Sequence, residues 1–335
     1  MPEAEVHGRS PRLAILTPVF NDWSCIAPLL SGLNADTGLP EHTLVIVDDG
    51  STEPCTLDFA ALTSRPVEVI RLGVNVGHQR AIAAGLVDLA QRNCFDAVLI
   101  MDADGEDRPA DCPALWQAHG NRPDAIIVAE RRKRSEAWGF RVSYVTYRWL
   151  FRALTGQRLD FGNFSLLPAA AVTRISLMPE LWNHYPATLM RCRLPLERVP
   201  LDRGHRTAGR SRMSLLPLVM HGVAGMAAFA DTAFARLLAL SLAAMGTLSA
   251  AIVAGLVYRL WSQTPLPGWL ALAATALLVS LFQMAAVLVV VLFLNVSLRS
   301  QPSPPPTVTA ARFIVDRQLY PADGQPSAPR ARANR

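Results

Sequence analysis

Two aspartates one residue apart, Asp102-Ala103-Asp104, follow the apolar run Ala97–Met101. Carboxylates aimed outward by a turn at a strand end can share a divalent ion. Such an all-oxygen site suits Mg²⁺ or Mn²⁺, which also bridge the phosphate oxygens of a substrate. A second acidic pair, Asp48-Asp49, closes the run Thr43–Val47 and leads into Gly50-Ser51-Thr52. A carboxylate there can accept hydrogen bonds from a ribose or a base. Gly50 permits a tight turn, and Ser51 or Thr52 can cap the helix that follows. Singly, these clusters read equally well as solvated loops or as an ordinary strand–turn–helix cap. Their recurrence, with Asn21-Asp22 after a third apolar run, makes a site.

The elements that must position these residues are legible between Arg12 and Val128. Strand-like runs fall at Leu13–Thr17, Thr43–Val47, Val67–Leu72, Ala97–Met101 and Ala125–Val128, with helix-like stretches such as Trp23–Leu33 and Gln79–Arg92 between them. Continuously apolar strands alternating with helices predict an α/β fold whose mostly parallel, Rossmann-like sheet is covered on both faces. Ligands then bind beyond the carboxyl ends of the strands, where the acidic clusters lie.

Of the 335 residues, 51% are apolar and 18% charged, and the apolar excess gathers after residue 236. Leu237–Tyr258 and Trp269–Leu294 are long enough to span a hydrocarbon core of about 30 Å. The connector 259–268 is short and proline-containing, so the two predicted transmembrane helices form a hairpin. Arginines crowd before the first span and after the second, which predicts that both ends face the cytosol. Residues 213–236, interrupted by Pro217, His221 and Asp231, read as interfacial amphipathic helices. Residues 1–11 and most of the tail 299–335 read as disordered, with Arg312–Tyr320 as the exception. The interrupted apolar run near the N-terminus does not form a secretory signal. The net charge of +5 points to phosphorylated or membrane partners, and no basic tract interleaved with aromatics suggests nucleic acid. Five scattered cysteines without a C-x-x-C pair read as buried, reduced thiols.

Thr17-Pro18-Val19-Phe20-Asn21, Val47-Asp48-Asp49-Gly50-Ser51-Thr52, Asn75-Val76-Gly77 with Ala81 and Gly85, and Asp102-Ala103-Asp104 resemble, in order and spacing, the signatures of family 2 glycosyltransferases of the GT-A fold. Asp160-Phe161-Gly162-Asn163-Phe164, the segment Arg206–Arg212 and the two C-terminal spans are similar to the polyprenyl-phosphate branch, which includes dolichol-phosphate mannose synthase. The resemblance covers residues 12–320. It implies a UDP- or GDP-sugar donor held by Pro18, Asn21, Asp48, Asp49, Asn75, Gly77, Asp102, Arg206 and Arg212. It also implies Mg²⁺ or Mn²⁺ on Asp104, with Asp102 as a further candidate ligand, and the departure at Glu106 adds another. Glu106 stands where that branch has a glutamine.

On the acceptor side, Arg131 aligns with a phosphate contact of the family. Arg141, Arg148 and Arg152 form a cationic stripe beside Phe140, Tyr144, Tyr147 and Phe151, as suits a helix at a membrane boundary meeting a lipid phosphate. Such a stripe reads equally as a solvated face. A hydroxyl acceptor needs a general base, for which Asp107 is the candidate, whereas a phosphate acceptor needs positioning. His184-Tyr185 reads as a packed loop rather than a catalytic pair. The expectation is an inverting glycosyltransferase of the cytoplasmic (inner) membrane acting on a polyprenyl phosphate, with its catalytic domain in the cytosol. Another membrane lipid or a cell-envelope glycan is the alternative acceptor, a non-catalytic assembly module the alternative class. Either is compatible with a homo-oligomer.

Overall fold

The computed structural model describes residues 12–35, 38–131, 148–158, 160–202, 204, 222–262, 268–300 and 304–321. The chain divides into two units. One holds Met1–Arg148, Arg158–Ala228 and Pro304–Arg335; the other holds Trp149–Gln157 and Phe229–Ser303.

The first unit is built on one eight-stranded sheet: β1 (Leu13–Val19), β2 (His42–Asp48), β3 (Val67–Leu72), β4 (Ala97–Ile100), β5 (Ile126–Arg131), β6 (Phe161–Pro168), β7 (Leu196–Leu201) and β8 (Ile314–Tyr320). The strand order is β7-β5-β6-β4-β1-β2-β3-β8. The stretch β4-β1-β2-β3 is parallel, β6 and β8 run antiparallel to their neighbours β4 and β3, and β7 runs parallel to β5. This is the α/β architecture expected. All seven residues of β1 are buried, because helices cover both faces of the sheet. Alternation sends Leu13 and Ile15 to the core under α1 (Ile26–Ala35) and, beyond a short α2 (Phe59–Leu62), α4 (Cys112–Asn121). It sends Ala14 and Leu16 to the core under α3 (His78–Arg92), α5 (Ala169–Ser176) and α6 (Tyr185–Arg191). Gly85 lets α3 lie close on the sheet, since a Cβ there would sit 2.4 Å from Leu16 Cδ1 and 2.7 Å from Val47 Cγ2. Cys25, Cys112 and Cys192 are buried, whereas Cys55 is exposed.

The second unit contains a helix over 148–155 and two long helices, α7 (Ala230–Ser262) and α8 (Gly268–Ser300). Phe151 was expected on the aromatic stripe of a helix at a membrane boundary. It is instead 1% exposed and packs edge-on against Phe229 at 5.9 Å. Arg236 donates to the carbonyls of Arg152 and Ala153 at 3.2 and 2.8 Å, closing the carboxyl end of the short helix with a cation. The stretch 231–236, expected to lie at an interface, is already the start of α7. Residues 213–221 of that region, residues 263–267 of the connector and the N-terminus 1–11 lie outside the described residues.

Residues 304–321 are ordered: α9 (Pro306–Phe313) packs on α3, and β8 adds to the β3 edge. The partner of β8 lies about 250 residues earlier in the chain. A charged cluster fixes the register. Arg317 Nε donates to Asp88 Oδ1 at 2.9 Å, and Arg92 bridges Asp88 at 2.9 Å and Glu68 at 2.8 Å. Asp88 is 2% exposed, so losing a cation there leaves buried charge less compensated. Arg317→Met should cost about 1–2 kcal/mol, the arginine's own exposure moderating the loss. Urea unfolding reads this, and an unchanged midpoint would remove the proposed anchoring.

Candidate functional site

The carboxyl ends of β1, β2 and β4 open on one edge of the sheet, where strand order reverses between β1 and β4. Of the expected donor residues Pro18, Asp48, Asp49, Asn75, Gly77 and Asp102 lie along that edge, and backbone N–H groups hold the Asp48 and Asp49 carboxylates. Asp49, 2% exposed, accepts from Val76 N–H at 2.7 Å and Gly77 N–H at 3.0 Å, tying the loop after β3 to the loop after β2. Burial pushes its carboxyl pKa upward; the two N–H bonds and nearby His78 partly oppose that. Asp48 accepts from Ser51 N–H at 2.8 Å and lies 3.4 Å from Arg71 Nε. Pro18 is buried in β1 opposite Val47, and Asn75 stands exposed on the loop that Asp49 holds.

Asn21 was expected to touch the donor, but its side chain is committed to scaffolding. Its Oδ1 accepts from Thr52 N–H at 2.9 Å and Glu53 N–H at 3.1 Å, while its Nδ2 donates to Thr52 Oγ1 at 3.0 Å. Its positive φ of 51°, tolerated by asparagine, turns the chain so that this clamp can close.

At the end of β4, Asp102 N–H donates to Asp107 Oδ2 at 2.9 Å, so Asp107, 4% exposed, holds the turn that carries both outer carboxylates. Asp104 Oδ1 accepts from Glu106 N–H at 3.0 Å, and Gly204 N–H reaches the Glu106 carbonyl at 2.9 Å. Among the described residues, no three His, Cys, Asp or Glu side chains converge as a metal-binding group. Asp102, Asp104 and Glu106 therefore do not form the three-carboxylate set expected. Two neighbouring carboxylates still fit Mg²⁺ or Mn²⁺, since such ions take one or two protein oxygens and complete their shells with water and substrate phosphates.

Three residues absent from the expected site surround Asp102. His78 Nε2 lies 3.2 Å from its Oδ1, and Asn163 Nδ2 lies 3.3 and 3.4 Å from its two oxygens. Gln79 Nε2 donates to Asn163 Oδ1 at 3.1 Å. Packing around the His78 ring opposes its charge, yet the pull of Asp102, Asp104 and Asp49 prevails and raises its pKa. The available signal was position: polar residues directly after Gly77 begin a helix at the carboxyl edge.

Of the remaining expected contacts, Arg131 ends β5, while Arg141, Arg206 and Arg212 lie outside the described residues. His184 and Tyr185 are structural, on a helix start rather than in a loop. His184 Nδ1 accepts from Ala187 N–H, and the Tyr185 hydroxyl shares a 2.6 Å bond with Ser165 Oγ. Burial drives the Tyr185 pKa far up, which keeps the phenol neutral.

The family model for glycosyl transferase family 2 matches residues 14–182, half of the chain, and contains nearly every residue of this edge. The chain belongs to that family. It is a glycosyltransferase. Among similar proteins, the Bacillus subtilis (strain 168) uncharacterized glycosyltransferase YkoT is 22% identical over 231 residues, which cover 65% of this chain and 68% of that one. The undecaprenyl-phosphate 4-deoxy-4-formamido-L-arabinose transferase of Pseudomonas syringae pv. syringae (strain B728a) is 27% identical over 131 residues, 38% of each chain. Glucosyl-3-phosphoglycerate synthase from Mycobacterium tuberculosis, crystallised with Mn²⁺ and UDP-glucose, is 18% identical with a TM-score of 0.46, over 67% of this chain and 79% of that one. Mannosyl-3-phosphoglycerate synthase from Rubrobacter xylanophilus is also 18% identical, with a TM-score of 0.47 over 66% and 73%.

Gly50 leaves no room for a side chain at this glycosyltransferase site. Its φ is +69°, and a Cβ would lie 2.5 Å from the Val74 carbonyl carbon and 2.6 Å from Asn75 N. Gly50→Ala should therefore cost roughly 2–4 kcal/mol, strain and backbone clash together. Thermal unfolding measures the loss, and a wild-type melting curve would contradict the contact.

Proposed function

We propose that this glycosyltransferase moves a sugar from a nucleotide-sugar donor, a UDP- or GDP-sugar, to a polyprenyl phosphate at a membrane surface. The observation carrying this reading is the presence, in one chain, of the acidic edge and of two long apolar helices that stay unburied. The most apolar 18-residue window in Ala230–Ser262 has mean hydropathy 2.1 and is 0% buried; that in Ala271–Leu294 has 2.8 and is 6% buried. Core helices of equal hydropathy would be covered. At 1.5 Å per residue, helices of 33 residues reach about 50 Å, ample for a bilayer. Both flanks of the hairpin belong to the sheet unit, which supports an even number of crossings. With arginines on those flanks, this favours an inner-membrane protein whose catalytic unit faces the cytosol. Trp149, 71% exposed on the short helix of the second unit, suits an interfacial position. The undecaprenyl-phosphate relative supports the acceptor class.

In the proposed reaction, an oxygen of the acceptor phosphate attacks the anomeric carbon. The bond from that carbon to the donor diphosphate breaks with inversion, and its electron pair leaves on the nucleoside diphosphate. A phosphate monoester with a second pKa of about 6 is mostly dianionic near neutrality and needs no base. Asp107 suits that chemistry as a turn holder rather than a proton acceptor, which favours phosphate over hydroxyl. Asp48 and Asp49 bind or shape the nucleoside pocket. Mg²⁺ or Mn²⁺ held by Asp102 and Asp104 would supply positive charge to the diphosphate. Arg206 and Arg212 are proposed to neutralise the donor's phosphates, and Arg131 and Arg141 the acceptor's.

Membranes containing the protein, incubated with labelled UDP- and GDP-sugars, should yield a labelled lipid that mild acid hydrolyses. An acid-stable product would overturn the acceptor assignment. Asp104→Ala should lower turnover at least about 100-fold in the purified enzyme. Undiminished turnover would remove Asp104 from the chemistry.

A further inference from the structure

Asp102 is oriented by a relay whose direction is fixed at its far end. Tyr185 N–H can only donate, and it lies 2.7 Å from Gln79 Oε1. The amide end of Gln79 is therefore its Nε2, 3.1 Å from Asn163 Oδ1. That contact in turn leaves Asn163 presenting Nδ2, a donor, to His78 Nε2 at 2.9 Å and to the two oxygens of Asp102 at 3.3 and 3.4 Å. Neither amide can be reversed without opposing like groups somewhere along the chain. The anchor is rigid. Tyr185 is 0% exposed, its hydroxyl bonds Ser165 Oγ, and Ser165 Oγ donates to the Asn163 carbonyl at 2.7 Å. The start of α6 and the strand β6 thus form a closed frame around the two amides.

We propose that Gln79 and Asn163 are positioning residues that hold the Asp102 carboxylate in its donor-binding rotamer. The relay has no part in the covalent step. It prevents Asp102 from turning away when its like-charged neighbour Asp104 is close, which would otherwise cost the site its preorganisation. The inference rests on the reading of Asp102 as part of the donor site.

The polarity of the relay gives a test that packing alone does not mimic. Gln79→Glu keeps the shape and the acceptor for Tyr185 N–H but places an acceptor against Asn163 Oδ1. Asn163 then rotates and turns its oxygen toward Asp102. Gln79→Met keeps much of the volume and removes the relay without reversing it. Binding of UDP and of GDP, each with Mn²⁺, is measured by calorimetry on the full-length protein in detergent, beside melting temperatures. The expected order of affinity is wild type, then Gln79→Met, then Gln79→Glu, with the last weakened roughly tenfold or more while its melting temperature stays near wild type. A Gln79→Glu protein that binds as wild type does, or better than Gln79→Met, overturns the relay. Asp102→Ala separates the two levels. If it binds normally, or wild type binds neither nucleotide, the donor-site reading fails and the relay with it. If Asp102→Ala loses binding while Gln79→Glu keeps it, the relay alone fails.

Discussion

Five carboxylates, those of Asp48, Asp49, Asp102, Asp104 and Asp107, are gathered at the carboxyl edge of one sheet, where their charges repel. Hydrogen bonds from the chain's own N–H groups hold four of them: Ser51 for Asp48, Val76 and Gly77 for Asp49, Glu106 for Asp104 and Asp102 for Asp107. Asp102 is held by the Asn163 amide. Each bond also fixes a loop, so the acidity of the edge and the shape of the cleft are one property. Gly50 lets the loops after β2 and β3 touch, Gly85 lets α3 close over the sheet, and the buried Asp49 joins both regions.

That arrangement separates carboxylates that build the site from those that face a ligand. Asp49 and Asp107 are nearly sealed and spend their oxygens on backbone N–H groups. Asp102, with a side chain 22% exposed, and Asp104 are left at the rim, where a cationic or hydrogen-bonding ligand can reach them. In the proposed reaction such a rim would serve a diphosphate leaving group, which gains charge as the sugar departs. A second constraint acts through the chain's connectivity. The hairpin is inserted between parts of the sheet unit, and β8, after the second long helix, completes the sheet beside β3.

The strands from β1 to β5 were readable because each is a predominantly apolar run, though β3 also carries Glu68 and Arg71, and a sheet covered on both faces favours that pattern. The acidic clusters were readable because they fall at the ends of those runs. What each polar side chain does there was less legible. Asn21 and Asp107 have the residue types of ligand contacts, but their partners, Thr52, Glu53 and the Asp102 backbone, are set by how loops meet in space. Gln79 and Asn163 stand 84 residues apart and become neighbours only when α3 packs beside β6. Proline and serine around 301–306 suggest disorder, whereas the stretch set apart from it, Arg312–Tyr320, holds β8 on the open edge of β3.

The account turns on where a cation and a diphosphate sit. Crystals of the protein grown with Mn²⁺ and either UDP or GDP, with diffraction recorded at the manganese absorption edge, test it most directly. An anomalous peak within coordinating distance of Asp102 or Asp104, with the diphosphate on its other side, is the predicted result. A nucleotide bound away from the carboxyl ends of β1, β2 and β4, or manganese bound elsewhere, would contradict it.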